Sequence, residues 1–272
     1  MNTLISFMTR AKSVVLPPLM FYALLAVTPL MAEPIEVQVT ASAQYNQHLK
    51  LSYPAPVRLQ QVLADSIANL QQLPLPPKHN QKKGNTDQIY WPGAALLTAR
   101  SNPEQKAVLA KLNTLSTIWQ NEGRNAVLNL KTWLKNEPIG QRVFNSLDYD
   151  LVRIEMTQNP LISEDVAVVL PPRPNSVWLL GAVKQPEKLQ WRERSSAQRY
   201  LEKITPLSNS DNSSVWVIQP DGIVEKHPIA YWNKEHMDIA PGAIIYLGFA
   251  ALPDDLDSLN EELINLLRNR TL

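Results

Sequence analysis

The spacing of apolar residues at the start of the folded region predicts two strands followed by a helix. Residues 35–39 alternate apolar and polar side chains, which is the two-residue period of a half-buried strand, and Leu49 and Leu51 extend this pattern into a second strand. Residues 57–70 then place their apolar side chains on one face of a helix. Strand, strand and helix at this length predict the beginning of a β-grasp unit.

Residues 103–134 change to apolar residues at three- and four-residue steps, which indicates helices. Gly123 interrupts this pattern, and Pro138 and Gly140 end it. We expect two or three helices packed as a hairpin, inserted into the β-rich chain at about residues 94–145.

Three prolines within residues 171–174 predict a stiff break, because proline fixes its own φ angle. We place the boundary between a first domain (33–174) and a second domain (175–252) there. The elements expected in the second domain are a buried strand at 177–183, a partner strand at 188–191, a helix at 195–204, a hairpin at 215–225 with Asp221-Gly222 in its turn, and a last strand at 243–247. This order predicts a second β-grasp domain around a single helix.

The last twenty residues, 253–272, predict an amphipathic helix. Its apolar face is formed by Leu256, Leu259, Leu263 and Leu267. Two interpretations stay open, since this face could pack on its own domain or dock onto a partner or a membrane surface. The acidic start and the short basic end of the helix suit the helix dipole and argue against anionic lipid.

The first 32 residues have the layout of a secretory signal peptide. Arg10 and Lys12 precede an apolar run at 14–31, and Ala32 supplies a small residue for cleavage. The alternative is an uncleaved membrane anchor, which the prolines of this run weaken. We therefore expect an exported protein of residues 33–272 with no stable membrane insertion of the mature chain.

Composition and charge exclude several classes of function. The chain has no cysteine, so it cannot carry the lipid anchor that a lipoprotein attaches to cysteine, and a core of this size does not need disulfides. Removing the leader leaves 24 basic residues against 25 acidic ones. A nearly neutral chain has no electrostatic attraction for nucleic acid.

Sequence motifs of enzymes are missing. There is no nucleophile elbow, phosphate-binding loop or paired-histidine zinc motif, and four histidines far apart predict neither a metal site nor a cofactor. Asp148 and Asp150 would share a face if they lay on a strand, as an acid and base pair of a glycosidase requires. The alternative is an ion-paired connector with Arg142 and Arg153.

Two aromatic clusters are candidates for sugar contact. They contain Tyr90-Trp91 and Tyr231-Trp232, and aromatic faces beside polar groups are common in ligand sites. Ordinary core packing is the alternative for both.

Taken together, the chain resembles the capsule-biosynthesis GfcC family, the GfcC- and YjbG-like periplasmic proteins of polysaccharide secretion. The segments that resemble it are Tyr90-Trp91-Pro92-Gly93-Ala94, Asp148-x-Asp150-x-Val152-Arg153, Asn159-Pro160-Leu161, Leu170-Pro171-Pro172-x-Pro174, 177–183, Tyr231-Trp232-Asn233-Lys234 with His236, and Pro241 to Gly248. They span most of the mature chain in the right order.

The resemblance implies an α+β fold with two β-grasp domains, a helical insertion and a C-terminal amphipathic helix. It implies a non-catalytic periplasmic accessory in capsule or exopolysaccharide assembly or export, with polysaccharide or the outer-membrane export machinery as partner. The family's pattern has an arginine after a glycine ahead of the Asp-x-Asp segment, and here Gln141 separates Gly140 from Arg142.

Three functional hypotheses follow from the sequence. In the first, the accessory binds glycan through Arg142, Trp91 and Trp232. In the second, a polysaccharide hydrolase or lyase uses Asp148 or Asp150. In the third, a purely structural subunit docks through the leucines of its C-terminal helix.

Overall fold

Two five-stranded sheets organise the chain in the computed structural model, which describes residues 33–42, 48–73, 89–230 and 236–272. The strands are β1 Ile35–Thr40, β2 Leu49–Tyr53, β3 Val57–Arg58, β4 Ala95–Ala99, β5 Gln141–Val143, β6 Leu161–Ile162, β7 Val166–Val169, β8 Ser176–Gly181, β9 Glu187–Gln190, β10 Ser214–Ile218, β11 Val224–Pro228 and β12 Ile244–Leu247. The α-helices are α1 Leu59–Ala68, α2 Glu104–Ile118, α3 Asn121–Asn136, α4 Tyr149–Ile154, α5 Ala197–Leu201 and α6 Leu259–Arg268. The predicted α+β class is therefore confirmed.

The first sheet has the strand order β2-β1-β7-β4-β5. Its first strand, β1, pairs with β2 in antiparallel and with β7 in parallel. Burial along β1 alternates as the sequence predicts: Val37 and Val39 are fully buried, while Glu36 and Gln38 are partly exposed. Helix α1 covers this face with Leu59 and other apolar residues.

The second sheet repeats this arrangement, with the order β11-β10-β12-β8-β9. Its first strand, β8, pairs with β9 in antiparallel and with the last strand, β12, in parallel. In both sheets a helix follows the second strand, α1 in one and α5 in the other. We call residues 33–174 the first half of the chain and residues 175–272 the second half.

Two helices, α2 and α3, lie between β4 and β5 and pack against each other. The break between the two helices falls at Trp119 and Gln120, not at the predicted Gly123, which lies in the first turn of α3. Although the pair belongs to the first half, it packs on the second sheet, where Trp133 meets Trp178 edge to face with ring centroids 5.3 Å apart. Residues 33–272 consequently form one compact unit.

The C-terminal helix packs on its own chain. The leucines considered for docking lie in the core that also contains α2, α3 and the second sheet: Leu256, Leu259, Leu263 and Leu267. At most 3% of any of them is exposed. In this arrangement α2, α3 and the second sheet cover the leucine face.

Polar contacts hold the C-terminal segment in place. Lys111 of α2 forms an ion pair with Glu262 of α6. Beyond the helix, Arg270 Nε lies 2.9 Å from Glu137 Oε2, and both side chains are about nine-tenths buried. Across the described ranges, no helix has the length and apolar character needed to cross a bilayer.

The glycine turn predicted at Asp221-Gly222 is confirmed by its backbone angle, and Gly242 forms a second such turn. Gly222 has φ +88° in the β10–β11 turn, and Gly242 has φ +95° before β12. Glycine adopts positive φ without the steric penalty that other residues meet.

Candidate functional site

A cavity of about 430 Å³ lies between the two halves, and residues of both line it. This volume falls within the usual range of ligand pockets, roughly 300–1,000 Å³. The first half contributes the turn before β4 and the segment from β5 into α4, while the second half contributes the β10–β11 turn and the end of α6. We call it the first cavity; its lining residues are Trp91, Pro92, Ala94, Arg142, Phe144, Asn145, Ser146, Leu147, Asp148, Leu151, Asp221, Gly222, Ile223 and Arg268.

Arg142 lies in the wall of the first cavity and joins the two halves of the chain. Its Nη1 donates a hydrogen bond to Pro220 O at 2.7 Å, and its Nη2 donates one to Ala94 O at 2.9 Å. Only 9% of the residue is exposed. Strand β5 sets the position of Arg142, since Arg142 pairs with Leu97 of β4 in the sheet.

The guanidinium of Arg142 stays charged despite its burial. Burial lowers the pKa of Arg142 to about 10, while the carboxylate of Asp221 acts to raise this pKa and the nearby charge of Arg268 acts to lower it. A pKa of about 10 is far enough above neutral pH to keep the group protonated. The cavity therefore contains a fixed positive charge.

A second arginine, Arg268 of α6, lies over the aromatic ring of Phe144. The centre of its guanidinium is 4.4 Å from the centroid of that ring, and its Nε donates to Gly222 O at 2.9 Å. Within the described part of the chain, neither Arg142 nor Arg268 lies within 4.0 Å of a carboxylate oxygen. Buried charges in proteins are usually paired, so a ligand oxygen would give the buried Arg142 a partner that it lacks, and the half-buried Arg268 could share it.

Two carboxylates balance the charge of the cavity, and backbone amides hold both. Asp148 Oδ1 accepts hydrogen bonds from the amides of Asp150 at 3.0 Å and Leu151 at 3.3 Å. Asp221 Oδ1 accepts one from the amide of Ile223 at 2.9 Å. Each carboxylate keeps acceptor positions that can receive ligand hydroxyls.

Asp148 and Asp150 do not lie on a strand, so the condition under which they would share a strand face is not met. Asp148 is the N-cap of helix α4, and Asp150 lies in the first turn of that helix. Asp150 is exposed, lies 3.6 Å from Arg153 and does not line the cavity. The cause is local, because an aspartate that accepts the first amides of a helix favours a helix start at that position over a strand.

Aromatic and apolar side chains form the outer part of the first cavity. Trp91 is held in a short 3₁₀ turn, and the amide of the preceding Tyr90 donates to Pro171 O at 2.8 Å. Phe144 and Ile223 are 48% and 56% exposed. Charged groups and exposed apolar groups in one lining suit a ligand with hydroxyls and an apolar face, such as a sugar ring.

The structure brings together some of the predicted site residues and not others. Arg142, Trp91 and Asp148 line one cavity. Trp232 lies outside the described residues. Among the residues that the structure describes, no cluster of three or more histidine, aspartate or glutamate side chains could hold a metal ion.

Sequence reasoning missed Arg268, Asp221 and Phe144 as parts of this site. Arg268 was explained by the helix dipole and Asp221 by a turn, and both explanations hold in the structure. Nothing in their spacing signals that the fold brings them to the same cavity, because they come from the end of the chain and from the second sheet.

Comparison with known proteins finds one family match in each half of the chain. The family description "Capsule biosynthesis GfcC, N-terminal" matches residues 75–173, and "Capsule biosynthesis GfcC C-terminal" matches residues 185–271. An uncharacterized protein of Escherichia coli (strain K12), YjbG, is 32% identical over 187 residues, which are 66% of this chain and 76% of the relative. These similarities show that the chain belongs to the capsule biosynthesis GfcC family, which implies a role in capsule biosynthesis.

Proposed function

We propose that this chain is a non-catalytic periplasmic accessory of capsule or exopolysaccharide assembly or export, and that it binds glycan in the first cavity. It would reach the periplasm through the signal peptide of residues 1–32. The membership in a capsule biosynthesis family supports the pathway. The lining of the cavity supports the ligand class.

The proposal includes the assignment of both sheets as β-grasp domains. In each, the first and last strands are parallel neighbours at the centre, and a helix follows the second strand. The helical pair α2 and α3 is then an insertion in the first of these domains. With this assignment the first cavity lies between the two domains, since residues of both line it.

The single observation on which glycan binding rests is the mixed charge of the cavity lining. The guanidiniums of Arg142 and Arg268 are hydrogen-bond donors, and the carboxylates of Asp148 and Asp221 are acceptors. Within the described residues, neither guanidinium forms an ion pair with a carboxylate. A sugar hydroxyl both donates and accepts, so it can satisfy either group. The exposed ring of Phe144 adds an apolar surface for the face of a sugar ring.

The test is a calorimetric titration of the mature chain, residues 33–272. The ligand is exopolysaccharide purified from the strain that encodes this protein. Phe144→Ala should weaken binding about tenfold, equivalent to about 1.4 kcal/mol. Ile154→Ala is the matched control, because Ile154 is exposed but does not line the cavity. Equal affinity of the two variants and the parent would contradict binding in this cavity.

An enzyme is the second candidate, and one observation favours it in a new form. Asp148 and Asp221, rather than Asp148 and Asp150, line the same cavity. If the pair is catalytic, the polymer shortens on incubation, and Asp221→Asn stops this. We expect no change in polymer size by size-exclusion chromatography with either the parent chain or that variant.

An export-machinery partner is a further part of the proposal. The leucine face of α6 is covered by the same chain, so a partner would have to bind other surfaces. A pulldown from periplasmic and membrane extracts checks this. Capture should be unaffected by Glu261→Ala on the exposed side of α6.

A further inference from the structure

A second cavity, of about 880 Å³, lies beside the first one. Its polar and aromatic lining includes Arg173, Trp191, Arg194, Gln219, Glu225 and Asp238. No role has been assigned to these residues so far. The volume falls within the range of ligand pockets, like that of the first cavity.

The second cavity has an aromatic clamp around an arginine. The guanidinium centre of Arg173 is 5.5 Å from the ring centroid of Tyr90 and 5.3 Å from that of Trp191. The indole Nε1 of Trp191 donates to Ile239 O at 2.7 Å, which fixes its orientation. Arg173 itself is exposed, and the described residues provide it with no ion-pair partner.

Gln219 fixes the opposite wall of this cavity. Its Nε2 donates to Glu225 Oε2 at 2.7 Å and to Asp238 O at 3.1 Å, and its Oε1 accepts from the amide of Ala240 at 3.1 Å. A side chain with three such bonds has little freedom to move. The wall is therefore preorganised, which reduces the entropy lost when a ligand binds.

The two cavities share three lining residues, Pro92, Asp221 and Ile223. These residues form a ridge between the cavities, and the β10–β11 turn supplies two of them. Arg142 and Arg268 hold the turn by donating to Pro220 O and Gly222 O, and inside the turn the amide of Gly222 donates to Gln219 O at 2.9 Å. Because Asp221 and Ile223 are both exposed, the ridge is open to solvent above the two cavities.

We infer that the two cavities are subsites for one extended glycan chain, which crosses the ridge of Pro92, Asp221 and Ile223. The inference rests on the proposed function and adds to it that the ligand is a polymer segment rather than a single sugar or a chain end. The second subsite binds sugar units through Arg173, Trp191 and the wall held by Gln219.

The charge of the second cavity indicates which sugars suit it. Four carboxylates line it against two arginines: Glu193, Asp221, Glu225 and Asp238 against Arg173 and Arg194. Although His227 lies 3.0 Å from Glu225 and His236 lies 3.2 Å from Asp238, carboxylates outnumber arginines here, so the lining accepts hydrogen bonds from neutral hydroxyls and disfavours acidic substituents. The units in the second subsite are therefore neutral ones.

Joined subsites predict that affinity depends on chain length. A short fragment fills one cavity, whereas a longer one engages the second cavity as an intramolecular event at high effective concentration. The affinity should therefore rise in a step when the fragment becomes long enough to cross the ridge.

The test uses size-fractionated fragments of the same purified exopolysaccharide, titrated into the chain of residues 33–272. For long fragments, Arg173→Gln should weaken binding about tenfold, the loss expected for one hydrogen bond to a charged group. For fragments too short to cross the ridge, Arg173→Gln should have no effect, while Phe144→Ala weakens both. A ladder of galacturonic acid oligomers should gain less affinity with length than a ladder of neutral glucose oligomers of the same lengths does.

The outcomes separate this inference from the proposed function. The second subsite is overturned if the affinity does not depend on fragment length, or if Arg173→Gln weakens the binding of short and long fragments equally. Either result leaves the first subsite intact. Absence of binding by fragments of any length overturns the proposed function and the inference with it. Asp238→Asn is a second variant for the long fragments, because the Asp238 side chain is 86% exposed and its change should not disturb folding.

Discussion

The leucine face of α6 and the mouth of the first cavity are both apolar, but the first is buried and the second is exposed. Leu259 and Leu263 are fully buried, whereas Phe144 and Ile223 are about half exposed. The same helix takes part in both regions, since its leucines enter the core and Arg268 at its end reaches the cavity. One helix therefore contributes to stability on one face and to the candidate site at its end.

This difference shows what an amphipathic pattern can establish. The pattern of α6 requires that its apolar face be covered, but it does not say by what. Helix α2 of the same chain supplies the cover, and the ion pair between Lys111 and Glu262 fixes the contact. The exposed apolar residues at the cavity mouth have no such pattern, so only the fold reveals them.

The largest effect is expected from the covered region. Leu263→Ala should lower the free energy of unfolding by about 4 kcal/mol, because it leaves a cavity in a fully packed core. Urea unfolding measures this, and Glu261→Ala on the exposed side of the same helix should change the value by less than about 0.5 kcal/mol. Unchanged stability in Leu263→Ala together with loss of a partner would instead indicate a docking face.

The next largest effect on stability is expected at Arg142, whose hydrogen bonds connect the two halves at the first cavity. Arg142→Met should destabilise the chain by about 2 kcal/mol, because two buried carbonyls lose their hydrogen bonds to a charged donor. The loss stays below that of Leu263→Ala because methionine avoids the cost of burying a charge.

Arg153→Met is the control for this change. Arg153 is exposed on α4, where it forms a long contact of 3.6 Å with Asp150 and a cation–π contact of 5.9 Å with the Tyr149 ring, so its replacement should be nearly neutral. If Arg142→Met also left the thermal unfolding temperature unchanged, Arg142 would not contribute to the stability of the contact between the two halves. Its position in the cavity wall would then be explained by ligand contact alone.

Local patterns in the sequence predicted most of the fold. The alternation in β1, the Asp-Gly turn and the helical spacing of α2 and α3 all depend on neighbouring residues, and the structure has each of them. The errors came where two local signals competed. Gly123 is tolerated inside the first turn of α3, and Asp148 caps a helix where a two-residue spacing suggested a strand.

The candidate site was predictable only in part, because its residues come from distant segments. Arg142 and Trp91 were named from a family resemblance and from an aromatic cluster, and both line the cavity. Arg268 and Asp221 have complete local explanations as a helix end and a turn residue. Their position at one cavity depends on how the two sheets pack, and no spacing along the chain encodes that packing.

A smaller effect tests the role of Asp148 as a helix cap. Asp148→Ala should lower the free energy of unfolding by about 1 kcal/mol, since two amides of α4 lose their acceptor. Asp150→Ala, on the same helix but exposed and outside the cavity, should be close to neutral. Comparison of the two by urea unfolding separates a structural aspartate from an ion-paired surface residue. Equal small losses would remove the capping role.

The smallest effect on stability is expected at the ridge. A variant there also tests most directly whether the exposed apolar residues at the cavity mouth serve binding. Ile223→Ser should change the free energy of unfolding by less than about 0.5 kcal/mol, because Ile223 is 56% exposed. Its affinity for long exopolysaccharide fragments should nevertheless fall several-fold, on the order of 1 kcal/mol, since apolar surface on the crossing path is lost.

Ile154→Ser is the matched control at the ridge, because Ile154 is 71% exposed but lines neither cavity. Both serine variants remove the same apolar side chain from an exposed position, so only their place relative to the glycan path differs. A fall in affinity confined to Ile223→Ser would show that exposure at the cavity mouth serves binding. An equal fall in both would assign the effect to general surface hydrophobicity, and the contrast between the covered helix face and the open cavity would lose its functional meaning.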